Sequence, residues 1–319
     1  VTIGLSPVAV GLPAGVEPVD DILVRSGCGR LERRMFTRVH GLRDSPTLAD
    51  GERLEDLLVR AGRAALDGGP ADLVLYGHTL LIAELDLDPG FRDRIRAALG
   101  LTGVPLHGVS HVNCTSVLRA VELAGRYLTR PGARAGERVL VLGGEQGSAS
   151  DKGRFIPGTT VAGDAVVAVV VHAPDATAGV RYRRLGTATG RDVRFHRNLR
   201  LPPEDFALFG KVCCTETVRT LSRAAADAGL GLDDLDLVLP HLSNRMFWRS
   251  VSAESGIPWD RIHLDLMGPR GHNFGTDALM SLEHADRTGR LRPGDRCALV
   301  SVGQGAYFQA TIVEVVADR

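Results

Sequence analysis

Two stretches of this chain carry no polar position at all: Ala165-Val-Val-Ala-Val-Val-Val171 and Val139-Leu-Val-Leu142. Strict alternation would mark a strand with one wet face, whereas unbroken apolar runs of this length predict strands buried on both faces, with helices covering both sides of a sheet. Helical, Ala-rich stretches beginning near Arg60 and Arg223 each lead into the same short pattern, Asp72-Leu-Val-Leu75 and Asp236-Leu-Val-Leu239, at an offset of 164. A second match joins Glu137-Arg138-Val-Leu-Val-Leu-Gly-Gly-Glu145-Gln146-Gly147 to Asp295-Arg296-Cys-Ala-Leu-Val-Ser-Val-Gly303-Gln304-Gly305 at an offset of 158. Two matches in the same order and at similar offsets indicate an internal duplication. The pattern predicts two fused α/β halves, residues 1–173 and 174–319, joined near Pro174–Gly179, whose sheets face a shared helical layer.

The most informative polar interruption is His111-Val112-Asn113-Cys114-Thr115-Ser116, a short turn running into the helical pattern Val-Leu-Arg-Ala-Val-Glu-Leu-Ala. A thiol in the first turn of a helix feels unpaired N–H groups and about half a positive charge, which favour the thiolate. The offset of 158 carries Cys114 onto His272, which opens a second polar turn, Gly271-His272-Asn273-Phe274-Gly275-Thr276-Asp277. The duplication therefore predicts a thiol and an imidazole presented to one another from two helix starts.

Composition narrows the partners. The chain is 44% hydrophobic and 24% charged, enough for a large core, and Lys+Arg and Asp+Glu both total 38. No overall basic field collects nucleic acid or an anionic membrane surface. Five cysteines, at 28, 114, 213, 214 and 297, lack the spacing of a disulfide framework or a zinc site. Val1-Thr-Ile-Gly-Leu-Ser-Pro7 has no basic leader with a long apolar stretch, and no apolar run reaches the ~20 residues that span a bilayer. The expectation is a cytoplasmic protein that uses no metal.

Taken together, the ordered motifs resemble the thiolase superfamily, and within it the β-ketoacyl-acyl-carrier-protein synthase III branch. Pro240-His241-Leu-Ser-Asn244 is similar to that branch's Pro-His-Gln-Ala-Asn, Gly163-Asp164-Ala165 to its Gly-Asp-Gly-Ala, and Gly303-Gln304-Gly305 to its glycine-rich terminal loop. The resemblance spans nearly the whole chain and implies an α/β thiolase fold, duplicated and five-layered (α-β-α-β-α), in a homodimer. It implies that Cys114 takes an acyl group from a thioester of acyl carrier protein phosphopantetheine or CoA, without any other cofactor. The amides of Cys114 and Gly305 would form the oxyanion hole, His241 would serve as general base, and Asn244 and Phe274 would contact substrate.

Departures from the branch refine this expectation. His272 stands where the branch carries Asn in Gly-Asn-Thr and is instead similar to the Gly-His-Thr of elongating synthases, which use Cys-His-His. Asp277, five residues on, is placed to orient an imidazole, giving a Cys-His-Asp arrangement suited to deprotonating an alcohol or amine. The basic doublet of the branch's CoA-associated Thr-Gly-Ile-x-x-Arg-Arg is missing from Arg38-Val-His40-Gly41-Leu-Arg43, which favours a carrier-protein donor. The expected function is an acyltransferase that passes the acyl group to a hydroxyl, an amine or a second carrier in natural-product biosynthesis. The alternatives are a decarboxylating synthase III and an inactive chain-length-type partner subunit. A thiolase is disfavoured, because Val300-Ser301-Val302-Gly303 lacks its second cysteine. Cys28, Cys213, Cys214 and Cys297 read as small buried residues and His111 as structural. Glu145-Gln146-Gly147 is expected at a subunit contact. The Arg clusters at 30–38, 182–184 and 194–200 read as solvated surface, any further role being to dock an acidic carrier protein.

Overall fold

The two apolar runs are neighbouring antiparallel strands, Arg138–Gln146 and Asp164–His172, in the computed structural model, which describes residues 2–80, 88–196 and 202–317. Because side chains alternate along a strand, Val139, Val141, Val167, Val169 and Val171 enter one apolar cluster, while Leu140, Leu142, Val166, Ala168 and Val170 enter another. Helices Leu54–Leu66 and Phe91–Ala98 cover the second face. The first face meets Ser116–Leu128 and Asp277–Arg287, the central helices. Ser116–Leu128 touches strands of both halves, including Leu73–Gly77 and Tyr307–Val315, and Asp277–Arg287 lies on Leu237–Pro240 and Arg296–Gly303. Helix Pro203–Asp227 packs outside against Tyr182–Arg191 and Tyr307–Val315, completing the α-β-α-β-α thiolase fold.

The strands do not form two separate sheets. Ten of them hydrogen-bond into one sheet, in which the short strand Ile3–Leu5 pairs antiparallel with Asp164–His172 on one side and Tyr182–Arg191 on the other, while four short strands form two two-stranded sheets beside it. The chain's first strand thereby satisfies the backbone groups on both its edges. Nothing in the local pattern of three residues announces such a long-range pairing.

The repeat is visible in the central helices, with a different register from the one expected. Each helix follows a 3₁₀ turn, Asn113–Thr115 or Phe274–Thr276, whose first residue has a left-handed φ, 53° at Asn113 and 54° at Phe274. These elements superpose at an offset of 161, so the counterpart of Cys114 is Gly275, that of Ser116 is Asp277, and that of His272 is His111. Loop lengths differ between the halves, so the offset drifts along the chain and 158 holds only for the later strands. The missing side chain at Gly275 has a use: a Cβ there would stand 2.9 Å from Val117 Cγ2 and 3.1 Å from the Cys114 carbonyl oxygen.

The surface reading fails for Arg184. It is buried, and desolvation pulls its pKa down against the opposing charge of Glu122. Arg33 and Arg194 are paired with Asp20 and Asp192; Arg197 and Arg200 lie outside the described residues. No described helix is long and apolar enough to cross a membrane.

Candidate active site

Cys114 and His272 meet although they are not repeat counterparts. The thiol Sγ lies 3.7 Å from His272 Nε2, and His272 Nδ1 lies 2.6 Å from Asp277 Oδ2. All three residues are buried, at 5%, 3% and 0% exposure. His272 is placed by backbone: its carbonyl accepts from the Gly163 amide at 2.8 Å, beside a bridge to Ala162. A Cβ at Gly163 would fall 2.8 Å from Asn273 Oδ1, so the Gly-Asp motif is there for close approach. Asp164 ties neighbouring loops down by accepting from the amides of Leu48 and Ser148. Asp277 in turn accepts from the amides of Asn273 and Leu242, each at 2.6 Å, so the carboxylate has backbone donors on both oxygens. Burial alone would lower the His272 pKa; the charge and hydrogen bond of Asp277 outweigh it, with help from Cys114, and raise it to about 10.

His241 follows the buried strand Leu237–Pro240, as expected, and its ring stands edge-on to that of His272 with centroids 6.1 Å apart. Its carbonyl accepts from Trp248 Nε1 at 2.7 Å, which holds the turn. Complete burial, reinforced by the charge of His272, pushes the His241 pKa down to about 3. The His272 ring, with Asp277 behind it, lies against the Cys114 thiol. Asn244 lines the same cavity, with both ends of its amide engaged inside the protein. Oδ1 accepts from the Phe247 amide at 2.8 Å and caps helix Arg245–Ser255, and Nδ2 reaches the Thr159 carbonyl at 3.4 Å.

The expected oxyanion hole pairs the Cys114 amide with that of Gly305; the structure brings the Cys114 amide together with a different one. The amides of Cys114 and Gln304 converge on one acceptor, Asn113 Oδ1, at 2.9 and 3.2 Å. Gly305 has a left-handed φ of 120° and lies outside the cavity wall; the amide that joins Cys114 is the one before it. Gly303 is the close-approach residue here, because a Cβ would stand 2.9 Å from the Val112 carbonyl oxygen and 3.1 Å from the Cys114 nitrogen.

Cys114, His241, His272 and Gln304 share a cavity of about 720 Å³. Much of the remaining wall comes from segments that sequence reasoning missed: the loop Ile156–Thr160, helix residues Phe209–Lys211 and Cys213–Thr215, and Met246, Phe247 and Glu254. Cys213 and Cys214 are buried as expected and also line the cavity, their thiols pushed up to about 12 by burial. Cys28 and Cys297 are raised for the same reason, and all five cysteines are free. Phe274 is not in the wall. It packs behind the nucleophile with Cys114 and Ala162, its ring 5.8 Å from that of His272. Glu145 is turned inward, accepting from the amides of Thr79 and Leu80, while His111 is exposed. Among the described residues, the group with metal-ligand spacing is His263, Asp265 and His284, none of which lines the cavity.

Residues 225–315 match the C-terminal domain of 3-oxoacyl-[acyl-carrier-protein] synthase III. The β-ketoacyl-[acyl-carrier-protein] synthase III of Cereibacter sphaeroides is 28% identical over 325 residues, covering 95% of this chain and 92% of that protein. Among solved structures, FabH of Pseudomonas aeruginosa superposes with a TM-score of 0.80 at 20% identity, covering 100% of both chains. The acyltransferase ChlB3 superposes at 0.83 and 18% identity, covering 99% of this chain and 98% of that one. Fold and site together define a thiolase-fold enzyme of the transferase type, with a cysteine at a helix start facing two imidazoles. Over most of its length the chain is similar to β-ketoacyl-[acyl-carrier-protein] synthase III proteins, and it shares their fold.

Proposed function

We propose that this protein is an acyltransferase that takes an acyl group from a carrier-protein or CoA thioester onto Cys114 and delivers it to a hydroxyl, an amine or a second carrier. The observation that carries this reading is the chain Cys114–His272–Asp277, in which a buried carboxylate holds the imidazole from behind. Protonated over the neutral range, His272 stabilises a thiolate beside it. The Cys114 sulfur attacks the thioester carbonyl, a carbon–sulfur bond forms, and the negative oxygen is met by the Cys114 and Gln304 amides. Collapse breaks the donor's carbon–sulfur bond, and the leaving sulfur takes the proton from His272 Nε2. The acceptor then gives its proton to the neutral His272 as its heteroatom attacks the acyl-cysteine, and the thiolate–imidazolium pair is restored. Asp277 orients the ring and stabilises its charge without taking the proton.

A carrier-protein donor is favoured by the missing basic doublet and by the names of the relatives, which are synthases acting on acyl carrier protein. Arg43 keeps its place but is paired with Asp44 at 2.7 Å. Decarboxylative condensation is the second reading. It is supported by the two imidazoles sharing the cavity with Cys114, as in the Cys-His-His arrangement of elongating synthases.

Incubation with acyl-loaded carrier protein followed by intact mass measurement tests the first reading. An acyl adduct that disappears in Cys114→Ala supports an acyl-enzyme, and the absence of an adduct across a broad acyl panel leaves the inactive-subunit reading. Addition of malonyl-carrier protein separates the two reactions: carbon dioxide and a β-keto product would establish condensation in place of transfer.

A further inference from the structure

The residue before the nucleophile occupies the place where the reaction's charge must go. Asn113 sits at the head of the 3₁₀ turn with φ 53°, a left-handed conformation that Asn tolerates better than most side chains. Its side chain bends back over Cys114. Oδ1 accepts from the Cys114 amide at 2.9 Å, from the Gln304 amide at 3.2 Å, and from the Cys114 thiol at 3.2 Å. Two backbone N–H groups from separate elements cannot face an NH₂ group, so the oxygen end of the amide is the end in the hole. An acyl carbon bonded to Sγ would put its oxygen at this same point, next to the sulfur and between the two amides.

We propose that Asn113 is a positioning residue whose side-chain oxygen stands in for the substrate oxygen in the resting protein and must be displaced before Cys114 can be acylated. The proposal rests on the acyl-enzyme reading. One donor pair cannot serve two oxygens, so the thioester carbonyl and Asn113 compete for the hole. The thiol is shared in the same way, its contact to Asn113 at 3.2 Å being shorter than the 3.7 Å to His272 Nε2. Displacing Asn113 therefore frees both oxyanion donors and releases the sulfur toward the His272 imidazolium in a single side-chain movement. The main chain need not move, because the Asn113 carbonyl stays bonded to Ser116 at the start of the helix. The resting site is closed to water and weak donors, and opens for a ligand that supplies a better-placed carbonyl oxygen.

Two variants with opposite expectations test this. Asn113→Gly keeps the left-handed turn and empties the hole, whereas Asn113→Asp is isosteric and fills it with a carboxylate that binds both amides more tightly. Alkylation of Cys114 by iodoacetamide near neutral pH needs no acyl donor. Its rate is expected to rise about 3- to 10-fold in the Gly variant and to fall at least about 10-fold in the Asp variant, since the thiol loses its acceptor in one and gains an anionic neighbour in the other. Acylation by an acyl-pantetheine should move in the same directions, with a lower half-saturating concentration for the Gly variant. A Gly variant alkylated no faster than wild type, or an Asp variant alkylated as fast as wild type, overturns the proposal. Should the Gly variant fail to fold, the isosteric Asp variant decides alone. Absence of acylation in wild type with these alkylation changes intact would count against the acyl-enzyme reading and leave the resting contact established.

Discussion

Asp277 Oδ2 receives both the Nδ1 of His272 and the amide of Leu242, the residue after His241, so one carboxylate fixes the two imidazole-bearing turns relative to each other. Asp277→Asn retains the shape but removes the charge that outweighs burial at His272. Cys114 acylation is expected to fall by about 10³- to 10⁴-fold, the scale seen when a triad carboxylate is neutralised. Stopped-flow acylation across pH checks this, since loss of the imidazolium should also shift the profile toward higher pH, where hydroxide ionises the thiol without help.

The same pair makes stability depend on pH. The folded-state pKa of His272 is raised from 6.5 to about 10, so its contribution is complete below about pH 6.5 and is lost as pH rises through about 10. The upper limit of that contribution is about 5 kcal/mol. His241 and His172 act on the other side: burial lowers them from 6.5 to about 3 and about 4, so the unfolded chain gains protons first and stability falls as pH drops below 6.5. Urea unfolding should therefore be most demanding near pH 6.5, with the alkaline decline reduced in Asp277→Asn. An equal alkaline decline in both proteins would remove His272 as its source.

Gly303→Ala is expected to impair chemistry more than folding. The added methyl would stand 3.1 Å from the Cys114 nitrogen and 2.9 Å from the Val112 carbonyl oxygen, so it presses on the nucleophile turn itself. A stability loss of about 1–3 kcal/mol accompanies such overpacking. Displacing the Cys114 amide from the hole should cost a further factor of about 10² in acylation rate, read by mass spectrometry on protein shown to be folded by its thermal transition.

Asn244→Ala separates capping from substrate contact. Its Oδ1 satisfies the Phe247 amide at the start of helix Arg245–Ser255, so the variant should lose about 1 kcal/mol of stability. The half-saturating donor concentration should change by less than about 3-fold, because Oδ1 is committed to the helix cap and Nδ2 is held at the Thr159 carbonyl. A large rise in that concentration at unchanged stability would restore Asn244 as a binding residue.

Much of the site could be read from residue order. Cys114 before a helical run, His241 after a buried strand, and His272 five residues before Asp277 are local patterns, and local patterns survive in sequence because each reflects one element's geometry. Asn113 and Gln304 escaped because each contributes through a single atom whose direction is set by backbone torsion. The cavity wall escaped for a different reason: Ile156–Thr160 and Phe209–Thr215 carry no chemical signature and become neighbours of Cys114 only through packing. Arg184, read as surface, and Glu145, expected at a subunit contact, lie inside, since charge alone does not tell whether an opposite charge or a pair of amides waits across the interior.

By itself, the sequence determined the layered α/β duplication and the thiol at a helix start, because hydrophobic periodicity and helix capping are short-range properties of the chain. Tertiary structure alone decided that Cys114 faces His272 while pairing with Gly275 in the repeat, that burial holds the His241 pKa down, and that Asn113 Oδ1 gathers the Cys114 and Gln304 amides. Those outcomes depend on desolvation and on distances between segments more than 150 residues apart, and neither is written in the order of residues along a strand or a helix.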